Sequence, residues 1–269
     1  MIVFVIPLKS QQSSNSWERV LKLFERCIKS ICNQTSPDFR VIVVCHKNPH
    51  IDFNHPQITY IEVDLPPPNT ALKTVALEKW KDRDLTFKRL DKLRKVLTGF
   101  IYAQQLKPSY IMTVDADDCV SKHLAEFVNQ HPQSNGWYVD KGYIYQDGSR
   151  LIYSKKYAFN RSCGTCRIVR YDLYDLPEKV EDANLAFLIH IDSHKSIEIK
   201  KGVRLKQLPF EGAVYIIGNG ENIYQTGFDT FFGAKAGITL SLRSRIREAF
   251  NYRFITKSIR SEFGLYKLN

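Results

Sequence analysis

The chain has 269 residues, 43% hydrophobic and 25% charged, with a formal net charge of +11. These proportions are ordinary for a soluble globular protein with a sizeable core, and no apolar run approaches the roughly 20 residues of a membrane span. The opening Met-Ile-Val-Phe-Val-Ile-Pro is strand-sized and lacks the basic start and cleavage site of a signal peptide. A cytoplasmic chain is expected, with Cys27, Cys32, Cys45, Cys119, Cys163 and Cys166 as free thiols. Cys163-Gly-Thr-Cys166 has the spacing of a zinc or redox pair, but no second pair and no His at zinc-finger spacing accompany it. Small buried residues in a strand or tight turn are expected there. The positive charge calls for an anionic partner and is concentrated in two places. Residues 73–107 hold ten Lys/Arg against four Asp/Glu, and residues 240–269 hold seven against two.

In chain order, Ile2–Leu8 is a dry strand closed by Pro7 and a polar loop. Trp17, Val20, Leu21, Phe24, Ile28 and Ile31 recur at helical spacing, which predicts a helix from its N-cap, Ser16, to about Cys32. Phe39–Cys45 and Ile58–Val63 read as strands, the second stopped by Pro66-Pro67-Pro68. Strand, helix, strand, strand is a βαβ start to a mainly parallel sheet. Residues 86–106 predict a helix with Leu90, Leu93, Leu97, Phe100 and Ile101 on one face and Lys88, Lys92 and Lys95 on another. Gly99 and Ala103 in it are small enough for close backbone approach. Beyond lie a helix over 121–131, strands over 137–145 and 149–158 around a Gln-Asp-Gly turn, and a short extended piece over 168–171. A helix over 180–191 and a strand Ala213–Ile217 follow.

The chemistry concentrates after Tyr110–Val114, a strand whose lack of alternation predicts cover on both faces. It runs into Asp115-Ala-Asp117-Asp118. In an extended chain Asp115 and Asp117 point the same way, about 7 Å apart. They repel each other unless a cation lies between them, and Mg²⁺ or Mn²⁺ takes such oxygen ligands together with diphosphate oxygens. The competing reading is an Asp-rich turn. Asp118 faces the other way and is expected to cap the helix beginning at Ser121.

Several features occur in order: Val5-Ile6-Pro7, Gln34-Thr35 after the first helix, the dry second strand, Asp91-Lys92…Lys95…Gly99 in the basic helix, and Val114-Asp-Ala-Asp-Asp118. Together they resemble the nucleotide-sugar glycosyltransferases of the GT-A fold, most closely the bacterial family-2-like group, over roughly residues 1–220. The resemblance implies an α/β fold of GT-A (Rossmann-like) type, with a mixed, mostly parallel sheet flanked by helices. It implies a nucleotide-sugar donor, a UDP-sugar first, and a glycan or lipid-linked acceptor. Pro7, Lys92, Lys95, Asp115 and Asp117 would bind the donor, and Asp115 and Asp117 would hold Mn²⁺ or Mg²⁺. The acidic residues many relatives carry after the second strand are here Cys45-His46-Lys47, which leaves the nucleotide base open. Two carboxylates stand level for deprotonating the acceptor. One is Asp182, in Glu181-Asp182; the other is Asp192, whose neighbour His194 would complete the metal shell. Gly218-Asn219-Gly220 is placed to close over the pyrophosphate.

From Thr239 onward, apolar Leu240, Leu242, Ile246, Phe250, Phe254, Ile255, Ile259 and Phe263 alternate with Arg243, Arg245, Arg247, Arg253, Lys257 and Arg260. The chain thus divides into a catalytic domain, 1–238, and a basic amphipathic helical tail, 239–269. The tail either packs on the domain or lies on the anionic inner face of a membrane. Two other functions share parts of this pattern. A haloacid-dehalogenase-like phosphohydrolase also sets Asp-X-Asp after a dry strand but needs Thr where this chain has Cys119. A basic nucleic-acid-binding protein would use both positive regions and leave the aspartates unexplained, so no nucleic-acid partner is expected.

Overall fold

A computed structural model of the chain describes residues 1–65, 83–191, 194–222 and 250–268. The body is mixed α/β, built on a seven-stranded sheet. Strand β1 (Ile2–Pro7) is buried along its whole length and lies between β2 (Phe39–Cys45) and β4 (Tyr110–Thr113), parallel to both. β3 (Ile58–Glu62) continues in parallel beyond β2. On the other side β9 (Arg167–Arg170) runs antiparallel to β4, β6 (Gly136–Tyr138) antiparallel to β9, and β10 (Lys206–Gln207) parallel to β6. The sheet is mostly parallel, as expected, and helices flank it. Helix α1 (Trp17–Cys32) packs Val20, Phe24, Ile28 and Ile31 on the Ile2, Phe4 and Ile6 side of β1. Helix α2 (Arg83–Ala103) packs Leu93, Val96, Leu97 and Phe100 on the Val3 and Val5 side. The alternation of β1 side chains between these two layers is why its sequence is apolar at every position. Ser16 caps α1 as expected, its hydroxyl accepting the Arg19 amide at 3.3 Å.

A second sheet has the order β12-β8-β7-β11-β5, with β5 (Cys119–Val120), β7 (Gly142–Gln146), β8 (Leu151–Lys155), β11 (Ala213–Ile217) and β12 (Tyr252–Phe254). The strand expected over 137–145 is therefore two strands in two sheets. The chain turns between them where the Val139 amide donates to Cys166 O (2.8 Å) and the Asp140 carboxylate accepts the Ala158 amide (2.9 Å). The helix expected over 121–131 shortens to α3 (Leu124–Asn129), because the Ser121 and Lys122 amides donate to Gly212 O and Glu262 O instead. The helix expected over 180–191 is a 3-10 turn, Val180–Asp182, followed by α4 (Leu185–Ile191), which starts afresh where Asn184 Oδ1 accepts the Phe187 amide at 2.8 Å. Helix α5 (His194–Lys201) comes next.

In the described part of the tail, Tyr252–Phe254 is a strand rather than a helix, paired with Tyr153 to Leu151. After it the helix Lys257–Phe263 buries Phe263, and the chain beyond it Leu265, beside Cys119, Tyr143 and Val214. Pro66 to Pro68 and tail residues 239–249 lie outside the described residues. Among the described residues, no helix is long and apolar enough to cross a membrane.

Helix α2 lies close against the sheet at Gly99, where an added Cβ would overlap Val5 Cγ1 and come within 3.3 Å of Val44 Cγ2. Gly99→Ala is expected to cost about 1–3 kcal/mol through overpacking. Urea unfolding monitored by circular dichroism checks this; an unchanged midpoint would show that α2 can shift freely on the sheet.

Candidate active site

The Asp-rich segment is a turn, closed by the Asp118 amide donating to Asp115 O at 3.0 Å. Asp118 does not cap a helix; α3 has His123 at its N-cap. Its carboxylate is fully buried and collects three donors: the Thr165 hydroxyl (2.6 Å), the Cys163 thiol (3.2 Å) and the Ile216 amide (3.0 Å). Thr165 Oγ1 in turn accepts the Asp115 amide at 2.9 Å. Burial, followed by the charges of Asp117 and Asp115, pushes the Asp118 carboxyl well up, against the pull of Thr165 and Ile216. Cys163-Gly-Thr-Cys166 is thus the loop that supports the aspartate turn, and all six cysteines are free. Gly164 has a reason to be glycine: a Cβ there would lie 2.7 Å from Asp115 Oδ2 and 3.2 Å from Lys92 Nζ.

Asp115 and Asp117 differ in their partners. Asp115 Oδ1 meets Lys92 Nζ at 2.5 Å. Asp117 has neutral partners: its Oδ2 accepts the side-chain amides of Asn219 (2.7 Å) and Asn222 (3.0 Å). Those amides are themselves fixed. Asn222 Nδ2 also donates to Ile216 O at 2.9 Å, and Asn219 Oδ1 accepts the Glu221 and Asn222 amides at 2.8 and 3.0 Å. Burial, then repulsion from Asp115, raises the Asp117 carboxyl to about 6, with the Asn219 bond opposing. Glu221 staples the loop after β1 to this segment, accepting Lys9 Nζ (2.7 Å) and the amides of Asn15 (3.1 Å) and Ser16 (2.7 Å).

A cavity of about 260 Å³ opens here, beyond the carboxyl ends of β1 and β4. This is where the strand order reverses, with β2 and β3 on one side of β1 and β4 on the other, the usual ligand position of an open α/β sheet. Pro7, Lys92, Asp115 and Asp117 line it, and so do Lys9, Lys88, Arg89, Asp91, Glu221 and Asn222. Lys95 is not among the lining residues. It is buried and holds Leu8 O (2.8 Å) and Asp91 Oδ2 (2.7 Å), burial pulling its ammonium down and Asp91 opposing. Asp182 is exposed on its 3-10 turn and does not line the cavity. Asp192 lies outside the described residues, as does the side chain of His194. The residues that sequence reasoning passed over are Lys9, Asn222, Glu221 and Thr165. For Glu221 and Asn222 the signal was the polar run Asn219-Gly-Glu-Asn222 after a dry strand; Lys9 and Thr165 carried none of that kind.

The donor set can be tested against a divalent cation. Among the described residues no group of three or more His, Cys, Asp or Glu is arranged as a metal cage. Two carboxylates facing one cavity do fit a hard cation that takes its remaining oxygens from phosphate and water, as Mg²⁺ usually does.

The sequence matches no known protein family and no curated protein. Among solved structures the chain is similar to S. aureus TarS, with 11% identity, a TM-score of 0.46, and coverage of 81% of this chain and 36% of that one. It is also similar to S. aureus TarS 1–349 in complex with UDP, with 11% identity, a TM-score of 0.42, and 80% and 60% covered. A third likeness is to the Francisella tularensis 2-C-methyl-D-erythritol 4-phosphate cytidylyltransferase, with 12% identity, a TM-score of 0.39, and 78% and 90% covered. The chain thus spans 36% to 60% of the TarS chains. Likenesses this weak lie below the level at which an activity is carried from one protein to another.

The raised Asp117 carboxyl sets a pH dependence. The folded chain holds this proton up to about 6, the unfolded chain only to about 3.8. Stability from this group is present below about pH 4 and is lost as pH rises through about 6, by up to about 3 kcal/mol. In chelator, Asp117→Asn should remove that fall. Urea titrations of both proteins across this range check it, and parallel curves would show that Asp117 titrates normally. Gly164→Ala should disturb the Asp115–Lys92 pair while leaving the rest of the fold intact, readable as shifts confined to that loop in an amide NMR spectrum.

Proposed function

We propose that the chain is a metal-dependent glycosyltransferase of GT-A type, moving a sugar from a nucleotide diphosphate, a UDP-sugar first, to a glycan or lipid-linked acceptor. The observation that carries the reading is the meeting of Asp115, Asp117, Lys9, Lys88 and Lys92 in one cavity at the switch point of the sheet. Acids alone would repel a diphosphate, and lysines alone would not account for two facing carboxylates. Both together suit a sugar diphosphate bound with a cation. Asp117 and Asp115 are the residues that would hold Mn²⁺ or Mg²⁺. The ion would supply charge neutralisation for the departing diphosphate. In this chain Asn219 and Asn222 hold one Asp117 oxygen, so the orientation of the carboxylate is set before any ligand arrives. Lys92 screens Asp115 and reaches the same space. Asp91 and Pro7 line the same cavity.

Asp182 and Asp192 remain the two carboxylates for deprotonating the acceptor, with His194 as a further metal ligand. The proposed setting is cytoplasmic and peripheral to the inner membrane face, consistent with a lipid-linked acceptor reached by the basic tail.

A thermal-shift panel of nucleotide diphosphates and sugar nucleotides, with and without Mn²⁺, tests the reading. Metal-dependent stabilisation by one nucleotide is expected, and its loss in Asp117→Asn, whose unliganded midpoint at neutral pH should be no lower than that of the wild type. No stabilisation by any member of the panel would overturn it. If one of the two acids is the base, its Asn variant should lower kcat by at least about a hundredfold with donor affinity unchanged; comparing Asp182→Asn with Asp192→Asn identifies it.

A further inference from the structure

A second cavity, of about 350 Å³, lies at the far end of the second sheet and shares no lining residue with the first. Tyr145, Arg150, Phe254, Arg260 and Lys267 line it, with no acidic side chain lining it among the described residues. Arg150 and Lys267 meet no carboxylate among the described residues, and Arg260 has only a backbone partner, Leu265 O at 3.3 Å. Three cations around one opening raise the local potential and are held there against mutual repulsion. Phe254 stands beside them 74% exposed on the edge strand β12, an apolar neighbour that gains from cover.

The walls are fixed rather than loose. The turn carrying Ser149 and Arg150 is anchored through Asp147, which receives both Arg19 and the buried Arg26; the Arg26 contact is 2.8 Å. The Tyr145 hydroxyl accepts the Gly148 amide at 3.1 Å. The C-terminal wall is tied to the turn where the Ile255 amide donates to Arg150 O (3.2 Å) and Arg26 donates to Tyr266 O (3.2 Å). A pocket of fixed walls, guanidinium and ammonium donors and an aromatic flank matches the chemistry of a phosphate ester, whose oxygens take bidentate Arg contacts while the organic part covers the ring.

We propose that this pocket binds a phosphate ester, at a site separate from the donor cavity. The ester is carried either by a soluble molecule or by a lipid headgroup, the chemistry being the same. The proposal does not depend on the glycosyl-transfer reading, because none of its residues touches the Asp115–Asp117 site.

Two arms test it on the full chain. In one, glycerol 3-phosphate and inorganic phosphate are titrated and followed by amide NMR shifts. In the other, the protein is co-sedimented with phosphatidylcholine vesicles with and without phosphatidylglycerol. Binding is expected in at least one arm. It should weaken about tenfold or more in Arg150→Ala and in Lys267→Ala, one charged contact being worth about that factor, and persist in Asp117→Asn. Both variants change exposed side chains, and a thermal midpoint close to that of the wild type would show that they fold. A response confined to phosphatidylglycerol vesicles assigns the lipid source, and a response to glycerol 3-phosphate assigns the soluble one. No binding in either arm, or binding unaffected by both substitutions, overturns the proposal.

Discussion

The structure turns on one buried carboxylate. Asp118 is where the two sheets meet, because it accepts from the Cys163–Thr165 loop ahead of β9 in the first sheet and from Ile216 on β11 in the second. A carboxyl removed from water is costly unless its oxygens are filled, and here three donors fill them. The arrangement fixes more than Asp118. Thr165, held by Asp118, holds the Asp115 amide, and Ile216 belongs to the strand that ends in Asn219 and Asn222, which hold Asp117. The residue that faces inward therefore positions the two that face the cavity.

That arrangement explains why the site was only partly legible in the sequence. The dry runs at Ile2–Pro7, Phe39–Cys45 and Tyr110–Thr113 are legible because a strand apolar at every position can be satisfied only by cover on both faces, and the parallel sheet follows from that. Asp115 and Asp117 are legible because two like charges placed together demand a reason. Asp118 was misread because alternation was extended past the strand, into a segment that is a turn. Lys95 was misread for a related reason. It lies three positions from Lys92 on α2, yet Lys92 lines the cavity while the Lys95 ammonium is buried against Leu8 O.

Other features leave no local trace. The passage from β6 to β7 keeps its apolar residues coming at strand-like intervals through Val139, so the change of sheet is invisible until Cys166 and Ala158 are seen to take up the turn's hydrogen bonds. The tail shows the opposite ambiguity. Alternating Tyr252-Arg-Phe254 fits a strand edge as well as one face of a helix, and only the partner strand β8 decides between them. Cys163-Gly-Thr-Cys166 was read as small and buried, but its work for the aspartate turn depends on Asp118, some forty-five residues away in the chain.

Charge separates the two cavities in kind. Among the described residues the first is lined by Lys9, Lys88, Arg89 and Lys92 against Asp91, Asp115, Asp117 and Glu221, so these side chains sum to a formal charge close to zero although the chain carries +11. A neutral wall with internal pairs does not attract a dianionic diphosphate by its net field. Under the proposed function the attraction comes with the cation, which would occupy the acids and release Lys92 from Asp115 toward phosphate. Donor affinity would then be conditional on metal. The second cavity has no such internal balance, so any anion it takes is drawn directly, and more weakly as salt rises. The two sites can therefore be told apart by their different responses to chelator and to salt.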